Sequence, residues 1–309
     1  MSLRVTFLGT SGAVPTTDRN PSAVFCRREG DAMLFDAGEG TQRQMMRFGT
    51  GFDVQWIFVT HLHGDHVLGL PGLLQTWDFN ERAEPVTIFV PRGTGRSISD
   101  LAFAIGPEPT YGVDVVEVGP DETIVDREEY EVRTFATDHR TRSVGYALVE
   151  DDRKGRFDRE KAEDLGVPVG PKFSTLHEGT PVELEDGTVV EPEQVVGPPR
   201  PGRTVVYTGD TRPTESVVEA ARDADLLIHD ATFAESASQR ARETGHSTAG
   251  EAGDVAERAG VDRLVLTHIS SRYAGDTGTL KSNAEAAFTG HTLVARDGDE
   301  VDVPFADRR

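Results

Sequence analysis

Residues 61–66 of this chain, His-Leu-His-Gly-Asp-His, carry four side chains that can bind a metal ion within one short stretch. Neutral imidazole is the commonest metal ligand near neutral pH, and the carboxylate adds an oxygen donor. The apolar run at 56–59 predicts a buried strand before the motif, and the residues from Val67 onward predict a helix after it. The motif is therefore expected in a strand-to-helix turn, where a loop on a rigid scaffold can carry chemistry.

Three more candidate ligands, His139, Asp210 and His268, each follow a short apolar run that predicts a strand. Taken singly, each could equally be an ordinary core or surface residue. Strand ends along one edge of a sheet can converge on one site, however, and two metal ions could share a bridging Asp210. The candidate metal ligands are then His61, His63, Asp65, His66, His139, Asp210 and His268.

Composition limits what else the chain can be. Its one cysteine excludes an internal disulfide and a cysteine-built zinc site, so any metal must be held by His, Asp and Glu. No apolar run approaches the ~20 residues of a membrane span. Residues 2–4 lead straight into a predicted strand without the pattern of a signal peptide. We therefore expect a cytoplasmic protein with no membrane partner.

The net charge of −21 comes from 53 acidic and 32 basic residues, and only four of the basic residues are lysines. An acidic, lysine-poor surface indicates a salt-rich cytoplasm, where the Debye length shrinks to ~3 Å at 1 M salt. The alternative is an ordinary acidic enzyme. The charge argues against a nucleic-acid partner, and strong screening weakens that argument without removing it.

The hydrophobic pattern predicts a mixed α/β protein with sheet layers covered by helices. Strands are predicted at 5–8, 23–26, 33–35, 56–59, 86–90, 113–118, 123–126, 130–136, 146–149, 204–207, 226–229, 263–266 and 292–295. Helices are predicted at 41–48, 67–80, 95–104, 248–259 and 279–288. Residues 151–202 are charged and rich in Gly and Pro, with a hairpin signal at Asp186-Gly187, and indicate an inserted arm rather than a core layer.

Over nearly its whole length the chain resembles the ribonuclease Z family of the metallo-β-lactamase superfamily. The motif at 61–66 is common to the superfamily and by itself leaves lactamase-like and glyoxalase-like members open. The other matching motifs are Phe7-Leu8-Gly9-Thr10 with Pro15 and Arg19-Asn20, Phe35-Asp36-Ala37-Gly38-Glu39-Gly40-Thr41-Gln42, Thr208-Gly209-Asp210-Thr211, His229-Asp230-Ala231-Thr232, Gly245-His246-Ser247-Thr248 and Thr267-His268-Ile269-Ser270-Ser271-Arg272-Tyr273. The last three favour ribonuclease Z, although Asp230 stands where the family usually has Glu.

The resemblance implies a four-layer αββα sandwich, a single domain over 1–309 with a flexible arm inserted at about 151–202. It implies two Zn²⁺ ions per subunit, one on His61, His63, His139 and Asp210 and the other on Asp65, His66, Asp210 and His268. Asp36 would orient a ligating imidazole. Asp65 would also act as general base and His246 as general acid, with support from His229 and Asp230, and Arg272 would hold a substrate phosphate.

The implied activity is that of a zinc-dependent endoribonuclease, which removes the 3′ trailer of precursor tRNA and leaves a 3′-hydroxyl on the tRNA. Precursor tRNA and a second copy of the chain are the expected partners. The arm would grip the tRNA body, and its basic residues are Lys154, Arg156, Arg159, Lys161 and Lys172, with acidic residues between them. The alternatives are a small-molecule phosphodiesterase or thioesterase of the same fold, and a catalytically silent RNA-binding scaffold.

Overall fold

The computed structural model describes residues 2–104 and 106–306. Up to residue 150, the strands and helices in chain order are β1 Leu3–Gly9, β2 Ser11–Gly12, β3 Ala23–Arg28, β4 Asp31–Phe35, α1 Thr41–Phe48, β5 Trp56–Phe58, α2 Gly64–Val67, α3 Leu70–Phe79, β6 Val86–Pro91, α4 Gly95–Ala102, β7 Val113–Val118, β8 Thr123–Asp126, β9 Tyr130–Ala136 and β10 Val144–Glu150. Every strand predicted in this half from sequence is present, and the helix predicted at 41–48 has those limits.

The remaining elements alternate more strictly between strand and helix. They are α5 Arg159–Asp164, α6 Pro171–His177, β11 Val182–Glu183, β12 Val189–Val190, α7 Pro192–Val195, β13 Thr204–Tyr207, α8 Glu215–Ala220, β14 Leu226–Asp230, α9 Ser238–Thr244, α10 Ala249–Ala259, β15 Arg263–Thr267, β16 Ile269–Ser270, α11 Gly278–Ala287, β17 His291–Val294 and β18 Glu300–Asp302. Single 3₁₀ turns lie at Glu235–Ala237 and Ser271–Tyr273. Among the helices described here, none is both long and apolar enough to cross a membrane.

Two seven-stranded sheets form the centre of the larger unit. Their strand orders are β18-β1-β3-β4-β5-β6-β7 and β17-β15-β14-β13-β10-β9-β8. One apolar cluster contains side chains of both sheets, such as Phe58 and Tyr146, and so lies between them. A second cluster joins the first sheet to α1, α3 and α4, and a third joins the second sheet to α8, α10 and α11. The predicted αββα layering is confirmed.

Contacts between Cα atoms divide the chain into two compact units, and the smaller one is Glu150–Gly202. This smaller unit contains α5, α6, α7 and the β11–β12 hairpin, whose turn includes the predicted Asp186-Gly187 signal. It has a small core of its own, made of Ala162, Val167, Leu176, Val182, Val190 and Val195. The smaller unit therefore packs around apolar side chains of its own. The charged average composition of residues 151–202 did not indicate this core.

The helix predicted at 67–80 is two helices, α2 and α3, separated by Leu68 and Gly69. Gly69 donates its amide to the carbonyl of Ala37 at 2.8 Å, and a Cβ at position 69 would stand 2.1 Å from the carbonyl oxygen of Gly38. Pro71 in the first turn of α3, which has no amide to donate, begins the second helix. The short elements α8, α9, β2, β16 and β18 were not predicted, because two to seven residues give little periodicity.

Candidate metal centre

The carboxyl ends of parallel strands place most of the site residues. Strands β4 and β5 run parallel, and so do β13, β14 and β15. Asp36 directly follows β4, Asp210 and His268 closely follow β13 and β15, and Asp230 is the last residue of β14. Side chains that are more than 200 residues apart in sequence therefore meet at one edge of the two sheets, as expected for strand ends in an α/β fold.

His61, His63, His139 and Asp210 form one compact group of possible ligand atoms, all within 4.8 Å of one another. The Nε2 atom of His61 lies 3.0 Å from Nδ1 of His63 and 3.5 Å from Oδ2 of Asp210. The Nε2 atom of His139 lies 3.2 Å from the same His63 nitrogen. Burial lowers the pKa of His61 well below its ordinary value, and the neighbouring His66 lowers it further. Neutral imidazoles that point their nitrogens at one another suit a shared cation.

Asp65, His66 and His268 form a second group, and Asp210 borders both groups. The Nε2 atom of His268 lies 3.1 Å from Oδ2 of Asp65 and 3.2 Å from Oδ1 of Asp210. The Nε2 atom of His66 lies 3.3 Å from the same Asp210 oxygen and 3.6 Å from Asp65. All seven candidate ligands of the sequence analysis thus come together, and Asp210 occupies the position expected of a bridging ligand.

Two buried atoms of this cluster, Nε2 of His66 and Oδ1 of Asp210, lie 3.3 Å apart, yet neither makes a contact with hydrogen-bond geometry in the described part of the chain. Burying a polar atom without a partner is costly, so such atoms are rare in folded proteins. Both atoms face the common centre of the second group. Histidine nitrogens and carboxylate oxygens without sulfur ligands match the donor set of a catalytic zinc or similar divalent metal. The residues present therefore fit a metal centre.

Asp36 supports two of these histidines and is itself fully buried. Its Oδ2 atom accepts from Nδ1 of His66 at 2.7 Å and from the hydroxyl of Tyr207 at 2.9 Å. The hydroxyl of Thr60 donates to Asp36 at 2.9 Å and lies 3.0 Å from Nδ1 of His61. Nδ1 of each ring is thus held by a hydrogen bond, which leaves Nε2 to face the centre. The expected contact of Asp36 with a candidate ligand is present.

Asp230 makes a similar set of contacts on the other side. Its Oδ2 atom accepts from Nδ1 of His246 at 2.9 Å, and its Oδ1 atom accepts from the hydroxyl of Thr232 at 2.6 Å. That hydroxyl lies 2.8 Å from Nδ1 of His268. Burial opposes protonation of His246, but the charges of Asp230 and Asp210 outweigh it and raise the pKa to about 9. His246 is therefore held as a cation beside the candidate metal ligands.

The N-terminal loop at residues 9–13 forms one wall of the site. The amide of Ala13 donates to Oδ2 of Asp65 at 2.7 Å. Strand β2 pairs with β16, so Gly12 lies beside His268, and a Cβ at position 12 would stand 2.7 Å from Nδ1 of that ring. His268 itself has a φ of 59°, a conformation that costs free energy for a residue with a side chain. Close approach of backbone to a ligand side chain thus requires glycine at position 12.

Other predicted contacts are not seen at this centre. His229 is fully buried, and its Nδ1 donates to the backbone oxygen of Asp230 rather than toward His246. Only the carboxylate of the His229–Asp230 pair supports His246. Arg272 is exposed in the 3₁₀ turn after β16, and its role with a phosphate stays a prediction. Thr60 and Thr232 are the residues that sequence reasoning missed, although both stand inside or directly beside the motifs quoted for the family.

The sequence of this chain is similar to a known superfamily and to several of its members. The sequence profile described as the metallo-beta-lactamase superfamily matches residues 16–268. A ribonuclease Z of Halobacterium salinarum is 66% identical over 307 residues, which cover 99% of each chain. The ribonuclease Z of Haloferax volcanii is 61% identical over 99% of this chain and 97% of its own. That of Methanosarcina acetivorans is 53% identical over 98% and 99%.

Solved structures agree with the sequence comparison. The crystal structure of human tRNase Z, short form, superimposes with a TM-score of 0.71 and 29% identity, covering 98% of this chain and 100% of that one. The metallo-beta-lactamase fold protein YhfI from Bacillus subtilis has the same TM-score at 18% identity, again over 98% and 100% of the two chains. At that identity, the second likeness shows the fold alone.

Proposed function

Since this chain belongs to the ribonuclease Z family of the metallo-beta-lactamase superfamily, we propose that it is a zinc-dependent endoribonuclease acting on precursor tRNA. It hydrolyses one phosphodiester bond, removes the 3′ trailer and leaves a 3′-hydroxyl on the tRNA. One observation carries this proposal: the seven candidate metal ligands converge at one sheet edge, with the imidazole of His246 directly beside them.

We propose that two zinc ions are held here, with Asp210 shared between the two groups of ligands described above. Bound divalent ions neutralise the charge of a phosphodiester and make water a better nucleophile near neutral pH. The protein positions the imidazoles for this role through Asp36, Thr60 and Thr232, which hold the outward-facing ring nitrogens. Such outer hydrogen bonds typically govern metal affinity as strongly as the choice of ligand.

Asp65 is the proposed general base. Burial favours its neutral form, but the hydrogen bond to His268 and the nearby His66 dominate and hold the pKa of Asp65 below its usual range. The ionised carboxylate is therefore available to accept a proton from the attacking water. Its Oδ2 atom is also held by the Ala13 amide, which fixes the carboxylate in the site.

His246 is the proposed general acid. The leaving group is the 3′ oxygen of the tRNA ribose, which departs readily only if it receives a proton. With a pKa of about 9, His246 carries that proton at neutral pH, and Asp230 holds its Nδ1 atom. Its side chain keeps 14% of its surface exposed, whereas those of His61 and His66 are fully buried. It can therefore reach a substrate from within the site.

Cleavage of precursor tRNA by the zinc-loaded protein, with both product ends mapped, tests the proposal. We expect a tRNA ending in a 3′-hydroxyl and a trailer beginning with a 5′-phosphate. The Asp65→Ala variant should lose activity by orders of magnitude while its circular dichroism stays unchanged. Hydrolysis of small phosphodiesters without any cleavage of precursor tRNA would favour the alternative, a small-molecule hydrolase.

We also propose that the protein acts as a cytoplasmic homodimer. A further proposal is that the smaller unit, Glu150–Gly202, binds the tRNA body. A groove of about 870 Å³ in this unit is lined by the exposed residues Arg156, Arg159 and Lys161, and the acidic residues Asp158, Glu160 and Glu193 line it as well. Arginine and lysine at such a groove suit phosphate contacts. Three of the four lysines of the chain lie in this unit, although the whole chain has a net charge of −21.

Removal of the unit tests this role. Val149 pairs with Thr204 across β10 and β13, so a short Gly/Ser linker can replace residues 151–202 without separating those strands. Deleting only 151–176 would divide the small core of the unit, which continues to Val195. We expect precursor tRNA cleavage to fall about a hundredfold while bis-nitrophenyl phosphate is still hydrolysed. Sedimentation of the full chain measures the oligomeric state.

A further inference from the structure

Four arginines surround the loop that carries His246. They are Arg140, Arg212, Arg240 and Arg242, and we call them the arginine patch. Arg140 directly follows the candidate ligand His139, and Arg240 and Arg242 lie on α9, which ends at the loop. The chain has a net charge of −21, and the acidic residues Asp138, Glu243 and Glu251 lie close to these arginines in sequence or in ion pairs with them.

Backbone contacts fix the patch against the loop. The side chain of Arg140 lies against Gly245, since a Cβ at that position would stand 3.0 Å from Cγ of the arginine. The carbonyl of Gly245 also accepts from Nδ1 of His139 at 2.7 Å. Arg212 donates from Nε to the carbonyl oxygen of Arg242 at 2.8 Å, which ties the two arginines together. These contacts hold Arg140 against the loop and Arg212 against the end of α9.

Arg240 is linked to His246 through an aromatic ring. Its guanidinium carbon lies 5.9 Å from the centroid of the Phe233 ring, within the range of a cation–π contact. The same ring lies 6.1 Å from the imidazole of His246 in an edge-on arrangement. Arg240 thus stands one aromatic layer away from the proposed acid, with its charged end exposed.

The patch is only partly neutralised. Arg212 forms an ion pair with Asp138 at 2.9 Å, and Arg242 approaches Glu251 at 3.8 Å. Among the residues that the structure describes, no carboxylate lies within 4.0 Å of the charged nitrogens of Arg140 or Arg240. Arg140 and Arg240 are therefore the two cations of the patch that are not paired with a carboxylate in the described part of the chain, and they lie beside the site proposed to act on a phosphodiester.

We propose that the arginine patch binds backbone phosphates of the RNA on the tRNA side of the scissile bond. This inference rests on the proposed function. His246 would give its proton to the oxygen that remains with the tRNA, so groups beside His246 face that product rather than the trailer. The planar guanidinium of arginine can donate two parallel hydrogen bonds to two phosphate oxygens. Salt screens such a direct contact less than it screens the attraction of a distant charge.

The test compares Arg140→Gln/Arg240→Gln with a control of equal charge change, Arg96→Gln/Arg258→Gln. Arg96 and Arg258 are exposed on α4 and α10 and pair with acidic residues of the larger unit. KM for precursor tRNA is measured across the KCl range in which circular dichroism shows every variant folded. The patch variant should lower the slope of log KM against log salt by about 1.4, or ~0.7 for each single-strand phosphate contact, and the control should not.

Two further measurements locate the contact. The KM penalty of the patch variant should persist when the trailer is shortened to one nucleotide, and it should disappear when the RNA on the tRNA side is cut to a single nucleotide. Arg140→Lys/Arg240→Lys should restore the salt slope, because the charges return. Equal slopes for patch and control variants would overturn the inference, as would a penalty that disappears with the trailer. Failure of the wild-type protein to cleave precursor tRNA would instead contradict the proposed function.

Discussion

Asp36 and Asp230, the two carboxylates behind the site, are both fully buried and make matching sets of hydrogen bonds. Each accepts directly from one histidine, and each accepts from a threonine hydroxyl that in turn contacts a second histidine. In the Asp36 network these partners are His66, Thr60 and His61, and in the Asp230 network they are His246, Thr232 and His268. The amide of each threonine also donates to its carboxylate, at 2.8 Å and 2.9 Å.

The two networks differ in what their histidines face. Both imidazoles of the Asp36 network point at the candidate metal centre and are fully buried. In the Asp230 network, His268 points at the centre, whereas His246 is partly exposed and has its pKa raised to about 9. In both networks, carboxylate charges outweigh burial and raise the pKa of the histidine that the buried aspartate binds directly, His66 in one and His246 in the other. The networks differ in exposure: His66 is fully buried against the candidate ligands, whereas His246 keeps part of its surface exposed.

Loss of the acid should give the largest difference between the networks. His246→Ala removes the proton donor, and we expect precursor tRNA cleavage to slow by ~10²- to 10⁴-fold. Zinc content should stay the same, since His246 lies outside the proposed ligand set. Bis-nitrophenyl phosphate has a good leaving group, and its hydrolysis should fall far less. His291→Ala, at an exposed position at the start of β17, is the matched control. Loss of one zinc per chain would show instead that His246 is a ligand.

Removal of the negative charge of each carboxylate should give the second-largest difference between the networks, in zinc affinity and in cleavage rate. Asp36→Asn weakens the hold on two candidate ligands, and we expect zinc affinity to fall ~10- to 100-fold, as outer hydrogen bonds to metal ligands typically contribute. Asp230→Asn weakens the hold on only one, so its loss of affinity should be smaller while its rate loss on tRNA resembles that of His246→Ala. Competition with a chelator measures both. Equal losses of zinc affinity would mean that the networks do not differ in this way.

Sequence alone predicted that the candidate metal ligands would lie together, because of their chemistry and position. Residues 61–66 concentrate ligands too densely for chance, and His139, Asp210 and His268 each follow a strongly apolar strand. The alternation of predicted strands and helices indicated sheet layers covered by helices, and the resemblance to the family implied their αββα order. The hydrophobic pattern is local in sequence, whereas the order of the layers depends on contacts that are distant in sequence.

The threonines and the arginine patch could not be predicted in that way. Thr60 and Thr232 are common residues whose role depends on reaching a carboxylate and an imidazole at once, and His268 is 36 residues from Thr232. Arg140 and Arg240 meet around one loop although 100 residues separate them. The small core of residues 150–202 was hidden as well, because six apolar side chains are diluted in a charged segment. The amino-acid composition of a segment does not show which of its side chains contact each other, because the fold determines those contacts.

Loss of either threonine hydroxyl should have a moderate and similar effect. Valine keeps the shape of threonine but cannot bridge the carboxylate to the imidazole, which leaves buried polar atoms without a partner. For Thr60→Val and Thr232→Val we expect the free energy of unfolding of the zinc-free protein to fall by ~1–3 kcal/mol each. Chemical denaturation at fixed KCl measures this. Thr→Ser at the same positions keeps the hydroxyl and should recover most of the loss, and a serine as damaging as valine would assign the effect to the methyl group.

The smallest expected effect is the coupling between the two networks, measured by combining Thr60→Val with Thr232→Val. The described residues show no hydrogen bond from one threonine network to the other. Asp210 stands between them, 3.5 Å from Nε2 of His61 and 3.2 Å from Nε2 of His268, and Asp65 lies 3.1 Å from His268 and 3.6 Å from His66. Without zinc, the two losses should add within ~0.5 kcal/mol, as for independent sites. With zinc, His61 and His268 would hold two different ions that share Asp210, so the sum should fail by more than ~0.5 kcal/mol. Additive losses with and without zinc would contradict the proposal that Asp210 is shared between the two groups of ligands.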